Sequence, residues 1–312
     1  MRIIRDTMFM DPNDRGAAAA IGNFDGVHIG HQAVIDLTRE IAESSGAPLG
    51  IMTFEPHPRT YFSKDSNPFR LMNADAKAHR LEKLGVEKLY EVPFNEALAS
   101  LSPEEFARQV IHDQLGLAHV VVGADFCFGK GRAGTTQHLQ DYGAQMGFGV
   151  TIADIITNGT GAVSSTAIRQ ALTEGRPRDA AAMLDHWHRI EGEVIRGHQR
   201  GRDLGYPTAN MSITELHPPK YGVYAVKVDV LDGPHQGSYD GAASIGVRPM
   251  FGENLPNCET YILDFKGDLY GATLSVALVD FLRPELKFDG LDALITQMDA
   301  DCDKARKILA DV

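Results

Sequence analysis

The spacing of apolar runs changes near residue 186 of this 312-residue chain, and no other feature of the sequence constrains the fold as strongly. Before that point, short apolar runs alternate with helical segments of roughly 10–15 residues, which is typical of a parallel sheet with crossover helices. After it, short strand-like segments follow one another closely, separated by Gly, Pro and Asp turn signals. We therefore expect two domains, residues 1–185 and residues 186–312, a division that suits the chain length.

The first domain is expected to be α/β, with a Rossmann-like parallel sheet. A helix is expected from about residue 30 to residue 44. The sequence Ser102-Pro103-Glu104-Glu105 has the form of a capping box and indicates the start of another helix, and a third is expected to open at Ser164 and Ser165. The expected strands are Ala17–Ile21, Leu49–Phe54, Lys88–Val92, His119–Gly123 and Thr151–Ile156.

The second domain is expected to be a small antiparallel β-barrel with a C-terminal helix. Helical periodicity returns only near Leu291–Leu309, after several short strands at close spacing. The expected strands are Arg189–Arg196, Val223–Leu231, Gly241–Val247, Glu259–Phe265 and Thr273–Phe281.

The composition narrows the class of partner. A net charge of −12 argues against a general electrostatic grip on nucleic acid or an anionic membrane, so small-molecule partners are expected. The three cysteines form no CxxC pair, which suits a reducing compartment. The N-terminus lacks an apolar core of signal-peptide length, and no run approaches the roughly 20 apolar residues of a membrane helix. A cytoplasmic protein is expected, and its oligomeric state stays open.

The loop from Gly22 to His31 is the most informative segment of the first half. It follows the first strand and opens the first helix, at the edge of a parallel sheet where ligands bind. Its glycines permit tight turns, and the helix start offers free N–H groups to a phosphate. His28 and His31 are three apart and share one helix face, so both imidazoles can donate to phosphate oxygens during displacement at an α-phosphate. Solvated or metal-binding histidines are the alternative.

This loop resembles the GxFDGxHxGH signature of the nucleotidylyltransferase superfamily, whose HxGH element binds ATP phosphates. A second ATP element of that superfamily is similar to the stretch that ends at Arg169, whose guanidinium suits a β- or γ-phosphate. An ordinary helix cap is the alternative for its Ser and Thr residues. The resemblance implies that ATP is bound by Gly22, Phe24, Asp25, Gly26, His28, Gly30, His31, Ser164, Ser165, Thr166 and Arg169, with His28, His31 and Arg169 catalytic.

Two further stretches narrow the resemblance to prokaryotic FAD synthetases. Thr53–Pro58 is similar to their FxPHP stretch, and Gly123–Gly129 to their GxDFxFG stretch, which lines the flavin pocket. The resemblance and the apolar aromatic faces imply a flavin site built from Phe62, Asp125, Phe126 and Phe128. For any single phenylalanine, a place in the core is the alternative.

In the second half, the sequence from Gly201 to Asn210 stands out. Thr208 and Asn210 are two apart and share one side if the chain is extended there, and Pro207 stiffens that stretch. A hydroxyl and an amide oxygen are hard neutral ligands that suit Mg²⁺. Composition alone leaves a turn before a strand as the alternative.

That stretch resembles the GRxLGxPTAN element of riboflavin kinases. The resemblance implies that Gly201, Gly205, Pro207, Thr208 and Asn210 bind ATP and a metal, with Thr208 and Asn210 as metal ligands. It also makes Glu259 the catalytic base, because a carboxylate there can accept a hydrogen bond from the ribityl hydroxyl and orient it for attack on the γ-phosphate.

Together the two resemblances identify a bifunctional riboflavin kinase/FAD synthetase family. They imply that one half phosphorylates riboflavin with ATP and Mg²⁺ to give FMN, and the other adenylylates FMN to give FAD and pyrophosphate. The chain departs from the family at Leu184–His188 and at Arg248–Gly252, where a threonine is replaced by Met250. These departures leave as an alternative an FMN adenylyltransferase with an impaired kinase half. A non-catalytic flavin- or nucleotide-binding protein is the alternative from a different class.

Overall fold

Two units, each with its own core, divide the chain in a computed structural model. The model describes residues 1–63, 67–154, 157–158, 161–196, 205–250 and 253–312. The first unit comprises Met1–Ser66 and Lys77–Val163, and the second comprises Asn67–Ala76 and Ser164–Val312. The domain boundary between residues 185 and 186 stays a prediction.

A parallel sheet forms the centre of the first unit. Within the described residues its order is β1-β4-β3-β2-β5-β6, and every neighbouring pair runs parallel. From β2 the chain adds β3 and β4 on one side of β2, and then β5 and β6 on the other side. The strand order therefore reverses beside β2. Ligands bind at such a switch point in open α/β sheets. The strands are β1 Arg2–Ile4, β2 Ala18–Ile21, β3 Leu49–Glu55, β4 Lys88–Pro93, β5 His119–Gly123 and β6 Gly149–Ala153, followed by a hairpin of β7 Thr157–Asn158 and β8 Gly161–Ala162.

Helices cover this sheet because its strands are apolar on both faces, as parallel strands usually are. The capping box at Ser102 and Glu105 is confirmed, since each backbone N–H meets the other residue's side chain. Beyond it the helix continues as a π-helical segment, Phe106–Gln114, whose buried side chains join the main core. The helices are α1 Ile29–Ser45, α2 Pro58–Phe62, α3 Ala74–Lys83, α4 Glu96–Ser100, α5 Pro103–Glu105 and α6 Thr136–Met146.

An antiparallel barrel forms the second unit, in the order β10-β13-β12-β11-β14-β9. The ring is joined where the Ile195 N–H, just after β9, donates to the Asn210 carbonyl at 2.9 Å. The strands are β9 Arg189–Glu193, β10 Ala209–Ser212, β11 Gly222–Val230, β12 Gly237–Met250, β13 Glu253–Ile262 and β14 Thr273–Pro284.

Alternation along the barrel strands separates two apolar clusters. On β11, Tyr224 and Val226 point into the barrel, whereas Val223 and Ala225 face a long C-terminal helix. Trp187 packs on this outer cluster, so it contributes to the core of its own unit. The helices of this unit are α7 Ser165–Thr173, α8 Pro177–Leu184 and α9 Leu291–Leu309.

The predicted fold class is confirmed, with local differences. Strand β1 was not predicted, because three residues carry too little periodicity. Strand β10 was not predicted as a strand either, and β13 begins at Glu253 because its ladder with β12 continues past Glu259. The strand predicted as Thr151–Ile156 is β6, whose last two predicted residues lie outside the described residues.

Candidate active sites

The loop between β2 and α1 combines a ligand-binding position with backbone strain. Phe24 and Val27 have φ angles of 49° and 45°, and Gly26 has a φ of 87°. A β-branched residue such as Val27 rarely adopts this left-handed conformation, which costs free energy and persists only where the surroundings enforce it. Phe24 and Val27 are fully buried, so packing holds the strained loop at the switch point of the sheet.

His28 caps the helix that the loop opens. Its Nδ1 accepts the His31 backbone N–H at 3.3 Å, so in the neutral ring the proton lies on Nε2. The two imidazole rings stack with centroids 3.7 Å apart and planes 15° apart. A Cβ at Gly30 would lie 3.2 Å from the His28 ring, so glycine lets the ring lie close to the backbone. The structure thus brings His28 and His31 together.

His31 is held in its neutral form. Burial of the ring, aided by the neighbouring His28 and Lys77, holds the pKa of His31 well below its ordinary value of 6.5. Its Nδ1 is buried and has no hydrogen-bond partner among the described residues, and the Phe24 ring lies 5.1 Å away. A neutral imidazole still carries one N–H, which is what hydrogen bonding to a phosphate oxygen requires.

The second predicted ATP element lies in the other unit. Ser164 caps α7, and its Oγ accepts the Ala167 N–H at 3.3 Å, while Ser165 and Thr166 form the first turn. Arg169 lies on the same helix. Its Nε donates to the Phe69 carbonyl at 2.5 Å, and its guanidinium lies 5.5 Å from the centre of the Phe69 ring. The helix start was predicted correctly, and the phosphate-binding role of these side chains stays a prediction.

The predicted flavin residues differ in exposure. Phe62 is 67% exposed at the end of α2, where its ring edge contacts Tyr61 and Phe94. Phe126 is half-buried and stacks on Phe128 at 5.6 Å, and Asp125 is exposed just after β5. Phe128 itself is only 6% exposed and belongs to the main core. Of this stacked pair, Phe126 is the ring that a flavin could contact, and the predicted flavin-binding role of Phe128 stays a prediction.

The second site begins at the start of β10. The Asn210 Nδ2 donates to the Thr208 carbonyl at 3.2 Å and lies 3.5 Å from its hydroxyl oxygen, so the two side chains do share one side of the chain. Gly205 has a φ of 84°, which favours glycine, whereas Gly201 lies outside the described residues.

Glu259 lies directly across from Asn210 in the barrel. The two residues are register partners on β13 and β10, and Ser244 is the partner of Glu259 on β12. Opposite residues of an antiparallel pair project from the same face with Cβ atoms about 5 Å apart. The structure therefore brings the predicted base beside a predicted metal ligand, although 49 residues separate them in sequence.

A pocket opens beside this pair. It is formed by residues at the start of β10, by inward-facing residues of β13, and by the loop that follows β13. Its lining comprises Val194, Pro207, Thr208, Ala209, Asn210, Thr260, Ile262, Phe265, Lys266, Gly267, Asp268, Leu269 and Tyr270.

Comparison with known proteins shows the family of both halves of the chain. A family model described as FAD synthetase matches residues 10–167, and one described as riboflavin kinase matches residues 184–309. The bifunctional riboflavin kinase/FMN adenylyltransferase of Pseudomonas fluorescens is 40% identical over 99% of this chain and 98% of its own length. The chain belongs to the bifunctional riboflavin kinase/FMN adenylyltransferase family.

Two further relatives support this membership and the fold. The family member from Bacillus subtilis (strain 168) is 38% identical over 92% of this chain and 90% of its own length. A crystal structure described as a macrolide-efflux protein from Streptococcus pneumoniae is 30% identical, with a TM-score of 0.81 over 98% of each chain. In the described residues of this family member, no helix is long and apolar enough to cross a membrane.

The departures from the family pattern have structural counterparts at the linker. His188 is 3% exposed, and burial together with the nearby His186 and His217 lowers its pKa to about 3. Its carbonyl accepts the Leu278 N–H at 2.9 Å, which ties the linker to β14. The linker residues therefore serve packing in this unit. Of the loop at 248–252, residues 251 and 252 lie outside the described residues.

Sequence reasoning missed Lys77, a buried cation beside the first site. Its ammonium lies 2.8 Å from the Glu55 carboxylate and 3.1 Å from the Thr53 hydroxyl, and 3.5 Å from the Asn23 carbonyl. Its side chain is only 3% exposed. A lysine is rarely buried without a partner, and here the partners include the backbone of the histidine loop. The sequence offered no signal, because one lysine on an amphipathic helix is ordinarily solvated.

Proposed function

We propose that this chain carries out both activities for which its family is named. Its C-terminal half phosphorylates riboflavin with ATP to give FMN, and its N-terminal half transfers the adenylyl group of ATP to FMN to give FAD and pyrophosphate. The observation that carries the proposal is that the chain matches both family models, with the histidine loop inside the first match and the Asn210–Glu259 pair inside the second. Residues 1–185 and 186–312 are proposed as the two functional domains.

In the first reaction site, the flavin phosphate attacks the α-phosphorus of ATP, and the bond to the pyrophosphate oxygen breaks. The N–H groups of His28 and His31 donate to phosphate oxygens as negative charge builds up on them, which lowers the barrier most where water is excluded. Gly22, Phe24, Asp25, Gly26 and Gly30 shape the loop around the phosphates. Ser164, Ser165, Thr166 and Arg169 are proposed as further donors. Phe62, Asp125 and Phe126 are proposed to receive the flavin, with Phe128 supporting the Phe126 ring from the core.

In the second reaction site, Glu259 accepts the proton of the ribityl hydroxyl as its oxygen attacks the γ-phosphorus of ATP, and ADP leaves. The cross-strand position of Glu259 opposite Asn210 supports this role, because it sets the base beside the group that holds the nucleotide phosphates. Gly201, Gly205 and Pro207 shape the backbone that approaches ATP.

The residues at the start of β10 fit Mg²⁺. The Thr208 hydroxyl and the Asn210 carbonyl oxygen are hard neutral donors, and the Asn210 Nδ2 is already engaged by Thr208. When bound, Mg²⁺ would neutralise charge on the ATP phosphates. The Thr208 and Asn210 side chains would hold the ion, and Asn210 is the cross-strand partner of Glu259.

The direct test is chromatography of flavins after incubation with ATP and Mg²⁺. Riboflavin as substrate should give FMN and then FAD, and FMN as substrate should give FAD with release of pyrophosphate. Formation of FAD from FMN alone would support the adenylyltransferase with an impaired kinase half. Absence of both products would overturn the proposal. We further propose a cytoplasmic enzyme whose partners are small molecules.

A further inference from the structure

Strand β13 carries a second polar side chain next to Glu259 on the same face. Asn257 is two residues before Glu259, and alternation along a strand places both on one side. The Asn257 Nδ2 donates to the Glu259 Oε1 at 3.3 Å. Asn257 is 2% exposed, whereas Glu259 is half-buried. A buried amide thus contacts a half-buried carboxylate on the same face of the strand.

The carbonyl oxygen of the same amide lacks a hydrogen bond within the part of the chain that the structure describes. Among the described residues the Asn257 Oδ1 is buried without a hydrogen-bond partner. Buried polar atoms nearly always have partners, and one that lacks them destabilises the fold. Turning the amide over would not help, because Oδ1 would then face an oxygen of the Glu259 carboxylate, and two acceptors form no hydrogen bond. The amide is therefore oriented with Nδ2 towards Glu259, and the buried Oδ1 lowers the free energy of unfolding.

We propose that Asn257 is a positioning residue for the kinase reaction, holding one oxygen of Glu259 so that the other faces the hydroxyl to be phosphorylated. This inference rests on the proposed function of Glu259 as the base. A carboxylate fixed at one oxygen loses rotational freedom before the substrate binds, and preorganisation of this kind lowers the barrier of the chemical step. Asn257 itself touches neither substrate nor metal in this role.

The neighbouring residues exclude a simple packing explanation. Across the ladder, Asn257 pairs with Ser212 on β10 and with Gly246 on β12. One neighbour therefore has a small side chain, and the other has no side chain. Ser212 is exposed and its hydroxyl contacts Thr214 at 3.1 Å. An apolar residue at position 257 would satisfy burial without leaving an unpaired oxygen, so packing alone favours an apolar residue there.

The experiment compares Asn257→Leu, Asn257→Ser and the control Ser212→Ala, in the full chain. FMN formation from riboflavin is measured together with FAD formation from supplied FMN and thermal unfolding followed by Trp187 fluorescence. For Asn257→Leu we expect kcat for FMN formation to fall roughly ten- to hundred-fold, with KM for riboflavin nearly unchanged. Its unfolding midpoint should not fall. Asn257→Ser keeps a donor and should retain more activity, and Ser212→Ala should behave as the wild type.

Two outcomes would overturn the positioning role. The first is a kcat for Asn257→Leu within twofold of the wild type, and the second is equal impairment of the leucine and serine variants. Failure of the proposed function gives a different result, because the wild type would then form no FMN or Glu259→Gln would stay active. A lowered unfolding midpoint with unchanged kcat would assign Asn257 to stability alone.

Discussion

The two candidate sites offer opposite kinds of polar atom to a phosphate. The first is a strained loop at a switch point of a parallel sheet, where two stacked histidines offer N–H groups and one of them is kept neutral by burial. The second lies on an antiparallel strand pair, where a hydroxyl, an amide oxygen and a carboxylate offer oxygen atoms. The first candidate site offers N–H donors, whereas the second offers oxygen atoms that suit the Mg²⁺ we propose there.

The two reactions of the family differ in their nucleophiles, which explains why the two candidate sites differ. Transfer of an adenylyl group requires donors around the α-phosphate, and its nucleophile is an FMN phosphate that is already ionised. Phosphorylation of riboflavin begins from a neutral hydroxyl, so it needs a base. In the proposed function Glu259 is that base, and the histidines of the first candidate site are donors to the α-phosphate.

The largest expected effect separates the two sites through the base. Glu259→Gln keeps the size of the side chain and removes its ability to take a proton, so FMN formation should fall about 10²- to 10⁴-fold. FAD formation from supplied FMN should stay near the wild-type rate, because that reaction is proposed to use residues of 1–185 and not Glu259. Chromatography of flavins measures both rates. Loss of both activities in a folded variant would show that the sites are not separate.

A somewhat smaller effect is expected at the histidine loop. His31→Gln removes an imidazole N–H from the phosphate site, and FAD formation from FMN should fall roughly 10²- to 10³-fold. FMN formation from riboflavin should continue. His112→Gln is the matched control, since His112 is exposed on the π-helical segment. If His31→Gln retains full FAD formation, the histidine loop is not the adenylyl-transfer site.

Buried His188 provides the structural counterpart to buried His31. Its pKa is lowered to about 3 from 6.5 by burial, so between these values the unfolded chain binds the proton and the folded chain does not. Stability of the second unit should therefore be complete above pH 6.5 and fall as the pH is lowered. The loss reaches about 2 kcal/mol at pH 5.

Trp187, the only tryptophan of the chain, lies next to His188 and reports on this unit. Urea unfolding followed by its fluorescence at pH 7 and pH 5 measures the loss, which His188→Gln should remove. His235→Gln, at a turn of the barrel, is the control. An unchanged pH dependence in His188→Gln would contradict the assignment.

The smallest expected effect concerns Lys77. Because its ammonium disfavours a protonated His31, Lys77→Gln should raise the pKa of His31, and the acid limb of FAD formation should move to higher pH. In the wild type this rate should stay level as the pH falls through 6.5. Burial and His28 still lower the pKa in this variant, so at pH 7 its rate should match the wild type. At a pH below both acid limbs, each pKa unit of displacement should lower the rate of the variant tenfold relative to the wild type. Lys83→Gln, exposed on the same helix, is the control, and identical pH profiles would contradict the role.

The sequence predicted what depends on local pattern. The apolar run Leu49–Phe54, the capping box at Ser102 and the helix Leu291–Leu309 are confirmed because periodicity and caps are written in consecutive residues. The pairing of Asn210 with Glu259 was not derivable in this way, because the register of β10 and β13 depends on the whole barrel.

The burial of single polar residues could not be predicted from the sequence either. Lys77, His188 and Asn257 are hidden in the fold although nothing in their neighbours marks them. Phe128 illustrates the reverse case, because an aromatic in a motif for flavin binding lies in the core, while Phe126 beside it stays half-exposed. Tertiary packing decides such cases, and packing is not a local property.

One measurement tests the separation of the two sites most directly. Glu259→Gln and His31→Gln are each incubated with riboflavin, ATP and Mg²⁺, alone and as a mixture, and the flavins are resolved by chromatography. We predict that the first variant leaves riboflavin, the second stops at FMN, and the mixture forms FAD. A mixture that forms no FAD, with both variants folded, would contradict the account of two independent sites in one chain.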